Sequence, residues 1–178
     1  GYLQMSSANR NFNAWGKDNG PLLYRSVKGD FVAEVEIADF SGLKNRNSIS
    51  FNEGGLMVVL DENTNKNGQE LVHLGVFPHY NAGNLLTIVE RGMRIQYQNN
   101  KGWNLDRYLQ IERSGNKFYF RTSSDQRHWT DMPNSPLSFD VPDGKDLKVG
   151  LYQVTYTDNR AYVTFDNFKM WIHKTLTN

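Results

Sequence analysis

The chain has 178 residues, of which 38% are hydrophobic and 13% aromatic, enough for one well-buried core and short for two. Its 20 Lys and Arg are spread among 19 Asp and Glu, and a formal net charge of +1 leaves no electrostatic footprint for nucleic acid or an anionic membrane surface. There is no cysteine, which excludes disulfides and thiolate chemistry.

No apolar run approaches the length that crosses a bilayer, so membrane insertion is not expected, and GYLQMSSANR has neither the basic start nor the apolar stretch of a signal peptide. Asparagine is as frequent as Lys and Arg together. With Gly, Tyr and Trp and no Cys, that composition accords with bacterial proteins that handle glycans outside the cytoplasm. The expected location is therefore extracytoplasmic: secreted, periplasmic or at the cell surface.

In chain order, residues 2–6 make a short candidate strand, followed by an Asn-rich loop carrying Phe12 and Trp15. Residues 21–27 and 31–40 flank the turn Lys28-Gly29-Asp30; in the second run Phe31, Ala33, Val35 and Ile37 face one way, and Val32, Glu34 and Glu36 the other. The segment 48–60 is apolar on both faces near its end, as a central sandwich strand would be. Residues 61–69 are a solvated connection, 71–77 another strand, and 78–84 a turn. With Arg91-Gly92 as a turn, Ile88 falls opposite Ile95, Leu86 opposite Tyr97 and Thr87 opposite Gln96, a hairpin. A second hairpin runs from Tyr108, where a Gly115-Asn116 turn sets Ile111 opposite Phe120, Glu112 opposite Tyr119 and Gln110 opposite Arg121. His128-Trp129-Thr130 reads as an edge segment and 133–146, with three prolines, as a loop. Two long strands, 147–156 and 161–172, close the chain. No apolar set recurs at helical spacing for three turns, which predicts an all-β sandwich of about a dozen strands in one domain, residues 1–178.

Few residues carry obvious chemistry. Asp61 to Asn67 offer oxygens at alternate positions, but Lys66 and Val72 stand where an EF-hand needs Gly and Glu. His73 shares its parity with Leu71, Gly75 and Phe77 and reads as a hydrogen-bonded sheet residue, while His79, His128 and His173 have no spacing for a triad or a zinc set. No serine stands in a nucleophile elbow and no Gly-rich loop opens a helix, which argues against nucleotide chemistry.

The segments GDFVAEVEI (29–37), GGLMVVLDEN (54–63), LQIERSGNKFYFRTSSDQRHW (109–129), KVGLY (148–152) and FDNFKM (165–170) together resemble bacterial jelly rolls of the concanavalin A-like lectin/glucanase superfamily, including the sandwich domain appended to β-xylosidases. The resemblance implies two packed antiparallel sheets, one face of which binds glycans, cleaves them or supports a neighbouring catalytic domain. Relatives have glycine where this chain has Gln126 in Ser123-Ser124-Asp125-Gln126, so the turn must be made without glycine's freedom. Trp129 and Trp171 fall in the structural motifs and read as core plugs. Jelly-roll glucanases carry a Glu-x-Asp-x-x-Glu strand; here Glu34, Glu36 and Asp39 occupy those positions with the acid types exchanged, a swap that displaces the attacking oxygen. Two solvated glutamates are the preferred reading. The superfamily also admits a calcium ion, with Asp166 a candidate ligand.

Sugar rings stack on Trp and Tyr while their hydroxyls need amides, carboxylates and Arg. Trp15, Tyr80, Arg91, Tyr97, Trp103 and Tyr156 are the expected carbohydrate-binding residues, with Trp103 first because Asn100, Lys101 and Asn104 around it are polar. The expected function is an extracytoplasmic, non-catalytic domain that binds or helps process oligo- or polysaccharide. The alternatives are a glycoside hydrolase using Glu34 and Glu36, and a structural or protein-interaction domain. The oligomeric state is not set by the sequence.

Overall fold

Alternation between buried and half-exposed residues organises the chain in a computed structural model that describes residues 1–7, 21–41, 52–61, 70–77, 81–90, 93–142, 144–155 and 161–173. The strands are β1 (Leu3–Ser7), β2 (Leu22–Val27), β3 (Phe31–Phe40), β4 (Asn52–Asp61), β5 (Glu70–Phe77), β6 (Gly83–Glu90), β7 (Met93–Gln98), β8 (Tyr108–Ser114), β9 (Lys117–Ser123), β10 (Thr130–Asp131), β11 (Leu137–Ser138), β12 (Leu147–Thr155) and β13 (Ala161–Ile172). A 3-10 turn, Gly102–Asn104, follows β7. All described pairings are antiparallel.

Two sheets form a sandwich. The first has the order β1-β13-β3-β8-β9-β10, with β11 also on β9, and the second β2-β12-β4-β5-β6-β7. One hydrophobic cluster draws from both: Phe31, Ala33, Val35 and Ile37 of β3 and Leu109 and Ile111 of β8 meet Leu56, Val58, Leu74 and Leu86 of the second sheet. Both hairpin registers follow the sequence pairing, Ile111 opposite Phe120 and Ile88 opposite Ile95. The residues predicted to open the fourth strand, 48–51, lie outside the described residues.

Two irregularities re-aim side chains in the first sheet. Between Thr164 and Phe165 the partner strand β3 advances two residues, from Asp39 to Ile37, so Phe40 and Ile37 both reach the core. Between Asp166 and Lys169 the extra residue lies on β13, where Asn167 takes φ 52°. That bulge shifts the phase of the last strand, so Met170 packs against the core and Trp171, opposite Val32, turns outward. Trp171 is 47% exposed, and the expectation that it plugs the core is corrected. Unbroken alternation from Phe165 would have buried it.

The turn after β9 is made without glycine, as the sequence requires. Gln126 holds φ 62°, and Asp125 supplies the compensation: its Oδ1 accepts the backbone N–H of Arg127 and of His128, each at 2.8 Å, and its Oδ2 lies 2.7 Å from His128 Nδ1. The His128 N–H, then its ring and the Arg127 N–H, hold the Asp125 carboxyl well below the usual carboxylate range. Replacing Gln126 by Gly relieves the left-handed backbone and is expected to raise stability by about 1 kcal/mol in chemical denaturation. Because the Asp125 pKa is depressed by folding, its contribution is present above about pH 4 and lost as the pH falls further. The stability gap between the wild type and Asp125→Asn should therefore shrink on acidification below about pH 4; a gap independent of pH would show the carboxylate charge to be irrelevant.

Candidate functional site

A two-layer sandwich needs one apolar face per sheet, yet the second sheet is apolar on both. Away from the first sheet, Met57, Val59, Leu71, Val89, Tyr152 and Val154 form a separate buried cluster. The register sets this outward face in rows. One row runs Tyr24, Gly150, Met57, His73, Thr87, Gln96, and the next Leu22, Tyr152, Gly55, Gly75, Leu85, Gln98. Glu53 lies one step further, opposite Val154.

Three side chains from three neighbouring strands converge there. Tyr152 Oη donates to Glu53 Oε1 at 2.5 Å, His73 Nδ1 lies 2.8 Å from Tyr152 Oη, and the same nitrogen lies 3.0 Å from Glu53 Oε1. The His73 and Tyr152 rings meet edge to face with centroids 4.7 Å apart. Glu53 and Tyr152 are each 1% exposed and His73 not at all. The Tyr152 ring reaches this position because Gly75 carries no side chain; a Cβ there would stand 2.3 Å from Tyr152 Oη and 3.1 Å from Glu53 Oε1. Among the described residues Glu53 Oε2 and His73 Nε2 have no hydrogen-bond partner although both atoms are buried. Such groups are costly unless a ligand or water completes them. Along the row from His73, buried Thr87 accepts from Gln96 Nε2 at 3.3 Å, and Arg94, Gln96 and Gln98 are exposed at the edge.

The residues expected from sequence are dispersed. Trp15, Tyr80, Arg91 and Tyr156 lie outside the described residues. Tyr97 shares a row with Leu86 and is half-buried against the core, as is Trp103 in its 3-10 turn. Of the polar residues around Trp103, Lys101 joins a hydrogen-bonded set that ties this loop to the sandwich. Lys101 Nζ meets Asp106 Oδ2 at 2.5 Å, Asp106 N donates to Asn84 Oδ1 at 2.9 Å, and Asn99 Nδ2 donates to the same oxygen at 2.8 Å. Thr122 on the facing sheet donates to Asp106 Oδ2 at 2.7 Å.

Glu34 and Glu36 sit on the outward face of the other sheet. Glu34 Oε1 accepts from Gln110 at 2.7 Å, and Glu36 Oε2 accepts from Asn167 at 2.7 Å. Burial, then the Glu36 charge, raises the Tyr108 phenol beside it. Asp39 accepts from Tyr162 at 3.2 Å, and burial followed by that carboxylate raises the Tyr162 phenol as well. The three carboxylates are thus each engaged by a neighbouring amide or phenol. Asp166, the calcium candidate, accepts the Asn167 N–H at 2.8 Å. Among the described residues no group of three or more His, Asp or Glu is placed to hold a metal ion.

Sequence reasoning missed Glu53 and Tyr152, whereas His73 is the hydrogen-bonded sheet residue that its parity predicts. The available signal was the apolar character of both faces in 54–60 and 71–77, which left the polar residues of that face to be explained.

The fold is the concanavalin A-like jelly roll, an all-β sandwich of two antiparallel sheets. Among solved structures, a functionally unknown protein from Saccharomyces cerevisiae matches with a TM-score of 0.70 at 17% identity, over 98% of this chain and 90% of that one. The GH43 protein BlXynB of Bacillus licheniformis matches with a TM-score of 0.63 at 17% identity, over 97% of this chain and 33% of that chain. A xylan beta-1,4-xylosidase of Bacillus halodurans C-125 matches with a TM-score of 0.61 at 13% identity, over 95% of this chain and 32% of that chain. This chain therefore spans about a third of those two bacterial proteins. No protein-family model matches the chain, and no curated protein does.

Gly75→Ala is expected to drive the Tyr152 hydroxyl off the trio and cost about 2 kcal/mol in denaturation midpoint experiments. Adding Tyr152→Phe removes the clashing oxygen, so the double variant should recover part of that loss; an additive double variant would refute the contact.

Proposed function

We propose that this chain is an extracytoplasmic domain that binds carbohydrate, or helps position it for processing, without cleaving it. One observation carries this reading. The outward face of the second sheet combines a buried apolar cluster with a buried carboxylate, imidazole and phenol, two of whose polar atoms lack partners among the described residues. Oligosaccharides present apolar C–H faces to such a floor and hydroxyls to such groups. The shared fold with about a third of two bacterial proteins, one named as a GH43 protein and one as a xylosidase, supports the role of an accessory domain. Exposed Gln96, Gln98 and Arg94 at the β7 edge extend the polar surface that a chain of sugars would meet.

A glycan-array screen of the purified chain, with product analysis on every glycan that binds, tests this. Binding without new reducing ends is the expected result, and Tyr152→Phe should weaken it about tenfold through loss of one buried hydrogen bond and its network. New reducing ends would replace the accessory role by hydrolysis. Absence of binding across the array would remove the carbohydrate reading.

A further inference from the structure

The outward face of the first sheet is open where the trio on the second is closed. The bulge at Asn167 sets Lys169 opposite Glu34 and Trp171 opposite Val32, both outward. Register extends these pairs across the sheet in rows: Trp171, Val32, Glu112 and Tyr119; then Lys169, Glu34, Gln110, Arg121 and Asp131; then Asp166, Glu36 and Tyr108. Three strand steps separate Trp171 from Tyr119, about 14 Å at the usual spacing. Trp171 is 47% exposed, and the Glu112 and Asp131 side chains are 32% and 56% exposed. The polar groups hold one another in place: Arg121 joins Gln110, Glu112 and Asp131, Gln110 donates to Glu34, and Asn167 donates to Glu36. An exposed indole beside fixed carboxylates, an amide and a guanidinium offers a sugar chain a surface for its C–H faces and partners for its polar groups.

Charge selects the kind of chain. Over the three rows Glu34, Glu36, Glu112, Asp131 and Asp166 stand against Lys169 and Arg121, in a molecule whose formal net charge is +1. The ends of the rows do not change that balance: Asp39 with Arg107 at one end, and Asp30 with Lys117 at the other, offset in pairs. The face is therefore acidic and suits a cation. A protein–protein interface is depleted of charge at its centre, whereas here the middle row is the most charged. Resting on the carbohydrate reading above and adding a second surface to it, we infer that this face binds an amine-bearing oligosaccharide. One ring stacks on Trp171, and ammonium groups lie against Glu34 and Glu36.

The test is titration calorimetry of the whole chain with chitosan hexasaccharide, whose amines are free, and chitin hexasaccharide, whose amines are acetylated. The pH is set between the ordinary pKa values of carboxylates and amines, so that both charges are present. Chitosan should bind at least about tenfold more tightly than chitin, and added salt should narrow the gap. Trp171→Ala should weaken chitosan about tenfold through loss of stacking. The double variant Glu34→Gln/Glu36→Gln should weaken it about fivefold while leaving chitin within about twofold. Tyr152→Phe, on the other sheet, should leave chitosan within about twofold. Chitin binding as tightly as chitosan, or chitosan unaffected by Trp171→Ala, overturns the inference and leaves carbohydrate binding at the second sheet standing. A lysine hexapeptide that binds as tightly as chitosan and is lost in Trp171→Ala assigns the face to a basic protein segment and overturns the glycan. If neither hexasaccharide binds while another glycan does on the array, this inference fails alone. If nothing binds by either method, both readings fall.

Discussion

Burying a carboxylate costs several kcal/mol unless the charge is hydrogen-bonded, and the outward face of the second sheet is arranged around that requirement at Glu53. Glu53 sits on β4, so its partners must come from the strands on either side. Tyr152 arrives from β12 by lying across Gly55 toward Gly75, and His73 arrives from β5. Each member restricts the others: without the glycine the phenol cannot reach, and without the phenol the carboxylate oxygen keeps only the imidazole. Only one of the two carboxylate oxygens is satisfied in this way. A structure selected for stability alone would more cheaply place an apolar residue there, as it does at neighbouring Met57 and Val154.

The two sheets answer to different constraints. The first has a wet outer face, where Arg121 joins Glu112 at 2.6 Å, Asp131 at 3.1 Å and Gln110 at 2.6 Å, and Gln110 in turn joins Glu34. These are half-exposed contacts of the kind that adds little to stability and much to solubility and register. Its bulges move single residues, Trp171 above all, between core and surface. On the outward face of the second sheet Glu53, His73 and Tyr152 stand together and buried, while Arg94, Gln96 and Gln98 are exposed at the β7 edge. Glu34 and Glu36 thus lie in a solvated lattice of neighbouring polar side chains.

The region around Trp103 shows how polar loops can serve packing. Asn84, Asn99, Lys101 and Asp106 make a connected set that ties the edge of the second sheet to Thr122 on the first. An Asn-rich stretch with one aromatic therefore closes an end of the sandwich, since buried amides can satisfy several backbone groups where the chain leaves regular pairing.

The sequence by itself determined the class of fold, the two hairpins and their registers, because period-two alternation and a two-residue turn are local and specify pairing without reference to the rest of the chain. It also showed that the segment 48–60 is apolar on both faces near its end, and that the turn at Gln126 had to manage without glycine. Only the tertiary structure decided which residues share the outward face of the second sheet. Tyr152 is 99 residues from Glu53 and 79 from His73, and nothing local relates them. Their meeting depends on β12 pairing with β4, and β4 with β5, in one register; a slip of a single residue would send each side chain to the other face. Trp171 and Trp103 were misplaced for the same reason: a one-residue bulge and a chain of amide bonds are invisible in periodicity, yet each decides whether a large ring is covered or exposed.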